Sequence, residues 1–150
     1  MIELAPRTLS VAAEAYGNLK DRLASIRRAK SVTFGSTGAA KVLAALRPNA
    51  FPPWDDPIRK QLHYDGSPAS YLQYLTAVQS QLRDIKIEAA RFDIPLDKIP
   101  AVLGRPESSL PKLVDEYNWV TYTRGCIAPT VEELSRWISW TKRKQARGQI

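Results

Sequence analysis

Two adjacent aspartates, Asp55 and Asp56, lie in a stiff corner of the chain, within the segment RPNAFPPWDDP that spans residues 47–57. The prolines of this segment restrict the backbone and lower the entropy that is lost when the corner becomes ordered. A carboxylate held in this way could face a ligand. It could also begin a helix, because the free N–H groups of a first turn favour a carboxylate. The sequence favours this capping role over a catalytic one.

Basic residues are concentrated in two stretches of a chain whose net charge is +7 at pH 7. Residues 17–50 contain seven lysines and arginines against one acid, and residues 134–150 contain five with no acid. Clustered cations gain free energy by releasing counterions from phosphates, so this segregation favours a polyanionic partner. The alternative is a solvated basic surface followed by a basic tail.

Other residue types that carry chemistry are sparse. The single cysteine, Cys126, excludes an internal disulfide framework, and the single histidine, His63, argues against a zinc site. Neither of the two common phosphate-binding glycine loops is present. We therefore expect no metal site and no cofactor, with Cys126 a buried structural thiol and His63 a surface residue.

The segment of residues 35–59, which begins GSTGAAKVLAALRPNAFPPWD, resembles the central part of the helix-hairpin-helix DNA glycosylase superfamily. In that family a glycine-rich hairpin binds DNA phosphates and leads into a helix. In many members a lysine opens that helix, and an aspartate follows a proline-bearing turn at its far end. The resemblance implies that Lys41 is a nucleophile that attacks the sugar of a flipped nucleotide and that Asp55 is the catalytic carboxylate. It also implies a DNA-binding group, which comprises Arg27, Arg28, Lys30, Gly35 and Gly38.

The same residues have simpler interpretations. If the chain has the glycosylase fold but not its catalytic lysine and aspartate, Lys41 would be a solvated helix residue. The sequence thus favours a nucleic-acid-binding domain, and it leaves open whether that domain is an enzyme. The alternative is a helical protein–protein interaction module, which the long apolar stripe of residues 71–92 and the pair Trp137 and Trp140 would serve.

Helical periodicity runs through almost the whole chain. The clearest element covers residues 67–92, where Ser67 is a suitable N-cap and Pro68 suits the first helical position. Tyr71, Leu75, Val78, Leu82, Ile85, Ala89 and Phe92 form its apolar stripe. Three more helices are predicted before this one: residues 8–29, a helix capped by Thr37 that ends before Pro48, and a short helix capped by Asp55 or Asp56. Two are predicted after it. The first covers residues 110–122, with Leu113, Val114, Tyr117 and Val120 inward, and the last is capped by Thr130 and Glu133.

These elements predict an all-α fold: a compact bundle of five to seven helices with a proline-rich corner, in a single domain that covers residues 1–150. No alternating strand pattern of useful length is visible. The longest strictly apolar run, Val42–Leu46, is far too short for a membrane span, and the N-terminus lacks the apolar core of a signal peptide. The cytoplasm is the expected compartment.

Overall fold

The computed structural model describes residues 4–123 together with residues 125, 130 and 132, and its elements are mainly helices. In chain order these are α1 (Pro6–Lys20), β1 (Leu23–Arg27), β2 (Lys30–Thr33), α2 (Gly35–Leu46), α3 (Asp56–Gln61), α4 (Pro68–Ala90), a 3-10 turn (Leu96–Lys98), α5 (Ile99–Val102) and α6 (Leu110–Thr123). The predicted helical architecture is confirmed. The prediction of a purely all-α fold is wrong, because β1 and β2 form a small antiparallel sheet.

The first helix was predicted to cover residues 8–29, but α1 ends at Lys20. The hairpin of β1 and β2 begins in the second half of the predicted helix. Arg28 and Ala29 join the strands with φ values of 49° and 62°, and a type I′ hairpin turn requires positive φ at both central positions. Arg-Ala is not the Asn-Gly or Asp-Gly pair that usually marks such a turn, so the sequence carries no visible turn signal. All nine strand residues are exposed, which means that strand pairing and not burial holds the hairpin.

The core lies where α1 packs against α2 and α4. On α4 the predictions hold at the N-terminal end, since the Ser67 hydroxyl accepts a hydrogen bond of 3.1 Å from the Ser70 N–H. The first part of the predicted stripe is fully buried, from Tyr71 to Leu82. Its last member, Phe92, lies beyond the end of α4 and is 70% exposed, so the predicted stripe is not buried at this end.

The proline-rich corner is held by Trp54, whose side chain is completely buried. Its indole stacks on the Tyr74 ring at a centroid distance of 5.3 Å and lies against the rings of Tyr16 and Tyr71. The Tyr74 hydroxyl donates a hydrogen bond of 3.1 Å to the Pro53 carbonyl. The packing of Trp54 and the Tyr74–Pro53 hydrogen bond together hold the corner against α1 and α4.

Helix α6 turns a different face inward from the one that its apolar spacing predicts. Val114 is buried as expected, but Tyr117 is 50% exposed and Val120 is 41% exposed. The buried face instead includes Asp115 and Asn118, and the Asn118 amide exchanges two hydrogen bonds, of 2.8 and 3.1 Å, with the amide of Gln81 on α4. Polar pairing between helices has here replaced part of the expected apolar contact.

Some predicted features lie outside the described residues. These are the helix that Thr130 and Glu133 would cap, the pair Trp137 and Trp140, and Cys126. Within the described part of the chain, no helix is both long enough and apolar enough to cross a membrane.

Candidate functional site

Lys41 and Asp55, which the sequence singles out as a pair, are in direct contact. The Lys41 Nζ lies 2.9 Å from an Asp55 Oδ1, with the lysine side chain 57% exposed and the aspartate side chain 32% exposed. Helix α2 presents the lysine, and the corner that Trp54 anchors presents the aspartate. The fold thus brings two residues that are fourteen positions apart in the sequence into one ion pair.

Asp55 does not cap α3 through its side chain, although it occupies the N-cap position. Its backbone is extended there, with φ −85° and ψ 153°, and its carboxylate makes no capping hydrogen bond. The next residue, Asp56, lies in the first turn of α3 and forms ion pairs with Arg59 and, at 2.6 Å, with Lys60. The hydrogen bond from Lys60 lowers the pKa of Asp56. The two acids therefore divide the predicted roles, because Asp56 stabilises the helix start while Asp55 faces Lys41.

The Lys41–Asp55 pair borders a cleft of about 540 Å³ between α2, the corner and the segment that leads into α6. We call it the charged cleft. Its lining comprises Lys41, Ala44, Ala45, Pro48, Phe51, Pro53, Asp55, Arg105, Glu107, Ser108, Ser109, Lys112 and Asp115. The lining therefore combines apolar side chains with charged and hydroxyl groups.

Asp115 is the member of this lining that sequence reasoning missed. The residue is only 3% exposed, and burial raises the pKa of its carboxyl to about 6 against the opposing effect of the Lys112 ammonium. One carboxylate oxygen, Oδ2, lies 3.3 Å from the Lys112 Nζ, whereas the other, Oδ1, is buried without a hydrogen-bond partner. No spacing in the sequence indicates that a charged residue beside Val114 would be buried.

The three predicted DNA-binding cations lie together on the hairpin. Arg27 and Lys30 are directly opposite each other across β1 and β2, and Arg28 begins the turn between them. All three are exposed, and none forms an ion pair with any acid in the described part of the chain. Like charges opposite each other destabilise a strand pair, so Arg27 and Lys30 lower the stability of the hairpin.

The two predicted phosphate-binding glycines do not flank a loop. Gly35 is the first residue of α2 and has φ +64°, and Gly38 lies inside the helix, where a Cβ would come within 3.3 Å of the Phe34 Cβ. The helix thus begins at Gly35 and not after Thr37, and Phe34 at its N-cap makes no side-chain capping bond. Phosphate binding by these glycines stays a prediction.

Comparison with known proteins identifies no relative of this chain. No family model matches the chain, and no curated protein or solved structure matches it. The resemblance of residues 35–59 to the glycosylase superfamily therefore depends on that motif alone.

Proposed function

We propose that this chain is a nucleic-acid-binding helical domain that contacts DNA phosphates through the hairpin of β1 and β2. The observation that carries the proposal is the cluster of Arg27, Arg28 and Lys30, which is exposed and paired with no acid of the described residues. Such a cluster lowers its own repulsion when phosphates replace water and counterions around it.

The shape of the hairpin supports duplex DNA as the partner. Both of its faces are exposed, and a two-stranded ribbon fits the major groove, which is about 12 Å wide. Helix α2 follows β2 directly, so a ribbon bound to DNA would bring the start of α2 close to the phosphates as well. Phosphates are also favoured near the free N–H groups of a helix start.

Fluorescence anisotropy with labelled duplex and single-stranded DNA tests this proposal. We expect binding at 50 mM salt, with a plot of log K against log salt that falls by about 0.9 for each phosphate contacted on duplex DNA. Three hairpin cations alone would produce a slope of about −2.7. Binding that is absent at 50 mM salt, or indifferent to salt, would contradict the proposal.

The resemblance to glycosylases makes a separate proposal about Lys41 and Asp55, and covalent trapping tests it. Lysine nucleophiles are activated by desolvation or by a neighbouring cation, whereas Lys41 is half exposed and paired with a carboxylate. We therefore expect the wild-type chain to give no borohydride-trapped complex with abasic-site DNA. Asp55→Ala should then lower the free energy of unfolding by no more than about 1 kcal/mol, because the side chain makes an exposed ion pair and no cap.

The opposite result would establish the catalytic interpretation. In that case the wild type is trapped, Lys41→Gln is not trapped although its DNA affinity changes by only a few-fold, and Asp55→Asn slows turnover by orders of magnitude. The charge-matched control is Lys60→Gln, which removes an exposed lysine of α3 that lies outside the lining of the charged cleft.

A second candidate function, protein–protein interaction, is favoured by an apolar groove of about 590 Å³ between α4, α5 and α6. Ile85, Ile99, Leu103, Leu110, Leu113 and Tyr117 supply most of its lining. Exposed apolar patches of this kind often mark interaction sites. Light scattering separates the two candidates, because a monodisperse monomer that binds DNA supports the first and counts against the second.

A further inference from the structure

The lining of the charged cleft includes one buried side-chain polar atom without a hydrogen-bond partner. Lys41 is paired with Asp55, Lys112 with Asp115 and Glu116, and Arg105 with Glu107 and Glu116. Among the described lining residues, the exception is Asp115 Oδ1, a buried acceptor without a donor. Buried polar groups are nearly always hydrogen-bonded, so this oxygen indicates a ligand that brings an N–H or O–H group.

The surroundings of Asp115 narrow the class of ligand. Pro48, Phe51 and Pro53 contribute apolar surface to the lining, against which a planar ring could pack. Ser108 and Ser109 contribute hydroxyl groups to the same lining, and the exposed Lys41 side chain contributes an ammonium group. A planar group with N–H donors joined to an anion satisfies all three features, and a nucleotide is such a molecule.

We infer that the charged cleft binds one nucleotide unit, with Asp115 Oδ1 accepting a hydrogen bond from an N–H group on the edge of its base. The inference rests on the proposed nucleic-acid function and adds a base-reading residue to it. Asp115 lies in α6, outside the segment that resembles the glycosylases. Asp115 is faced by Lys112 and Glu116 of its own helix, by Asp55 of the corner and by Tyr74 of α4.

Calorimetric titration of the full chain at pH 7.5 tests the inference with two ligands that differ by one amino group. These are adenosine 5′-monophosphate and purine riboside 5′-monophosphate, which lacks the 6-amino donor. At this pH the Asp115 carboxylate is ionised, since the pKa is about 6. We expect the wild type to bind the purine analogue about 5- to 100-fold more weakly, the usual effect of leaving a buried acceptor unpaired.

Asp115→Asn is the decisive variant. The Lys112 ammonium donates to the amide oxygen, so the amide NH₂, a donor, takes the place of Oδ1 and repels the amino group. We expect the preference for the adenine nucleotide to disappear. Asp84→Asn, which changes a carboxylate in the apolar groove, should leave the preference unchanged. If Asp115→Asn fails to fold by circular dichroism, Asp115→Leu, which also lacks the acceptor, replaces it with the same expected result.

A second arm distinguishes a free nucleotide from one within a strand. Single-stranded oligonucleotides that carry either deoxyadenosine or deoxypurine riboside at the centre should show the same preference if the cleft reads a nucleotide of a chain. A preference seen only with mononucleotides assigns the cleft to free nucleotides. Both results support the role of Asp115.

The inference is overturned if the wild type binds both ligands equally, or if it binds no nucleotide at millimolar concentration while DNA binding through the hairpin persists. That second result leaves the proposed function intact. If neither mononucleotides nor DNA bind, the inference and the proposed function both fail.

Discussion

Removal of the three hairpin cations is expected to weaken DNA binding by about 100-fold or more at 100 mM salt. The variant is Arg27→Gln, Arg28→Gln and Lys30→Gln, which keeps side-chain length but removes the charge. Three lost phosphate contacts should reduce the magnitude of the salt slope by about 2.7, because each contact releases about 0.9 counterions. Anisotropy titrations at 50, 100 and 200 mM salt measure both quantities.

The control for this variant removes the same charge elsewhere. Lys60→Gln, Arg91→Gln and Lys98→Gln change three exposed cations, which lie on α3, at the C-cap of α4 and in the 3-10 turn. We expect this triple variant to change the salt slope by less than about 1, through net charge alone. Equal effects of the two triple variants would mean that DNA senses only the total charge of the chain, and the hairpin would lose its assigned role.

The hairpin variant should also remain folded. The strands bury no side chain, so their residues contribute little to the core. Relief of the repulsion between Arg27 and Lys30 should leave the free energy of unfolding unchanged or slightly higher. A denaturation curve with an unchanged midpoint therefore shows that any loss of DNA affinity comes from the lost contacts.

Truncation of Trp54 to alanine is expected to lower the free energy of unfolding by about 3–5 kcal/mol. Its side chain is fully buried among Tyr16, Tyr64, Tyr71 and Tyr74, so its removal leaves a cavity at the junction of α1, α4 and the corner. A domain of this size has a total stability of about 5–15 kcal/mol. The loss could therefore unfold much of the protein at physiological temperature.

Urea denaturation followed by circular dichroism measures this loss. Phe92→Ala is the matched control, because it also removes an aromatic ring, but from a side chain that is 70% exposed. That change should cost within about 0.5 kcal/mol. A cost below about 1 kcal/mol for Trp54→Ala would contradict the assignment of this residue as the anchor of the corner.

The sequence by itself determined the elements that depend on neighbouring residues. Helix α4 is the clearest case, because the Ser67 cap, Pro68 and the spacing of the apolar stripe act within a few residues of each other. The proline-rich corner belongs to the same class, since prolines act on their own backbone. The concentration of basic charge in residues 17–50 could also be identified from the sequence alone.

Only the tertiary structure decided how distant segments meet. The strands β1 and β2 replaced a helix of plausible periodicity because a hairpin is stabilised by pairing across the turn, which local spacing does not report. Asp55 has good capping chemistry, but α2 brings the Lys41 ammonium within 2.9 Å, and the carboxylate pairs with it and makes no capping bond. Asp115 became buried because α6 packs against α3 and α4 with the face that carries Val114, Asp115 and Asn118. Local propensity is set by residues a few positions apart, whereas burial and charge pairing depend on which remote surfaces pack together, and that is why the charged cleft appears only in the folded chain.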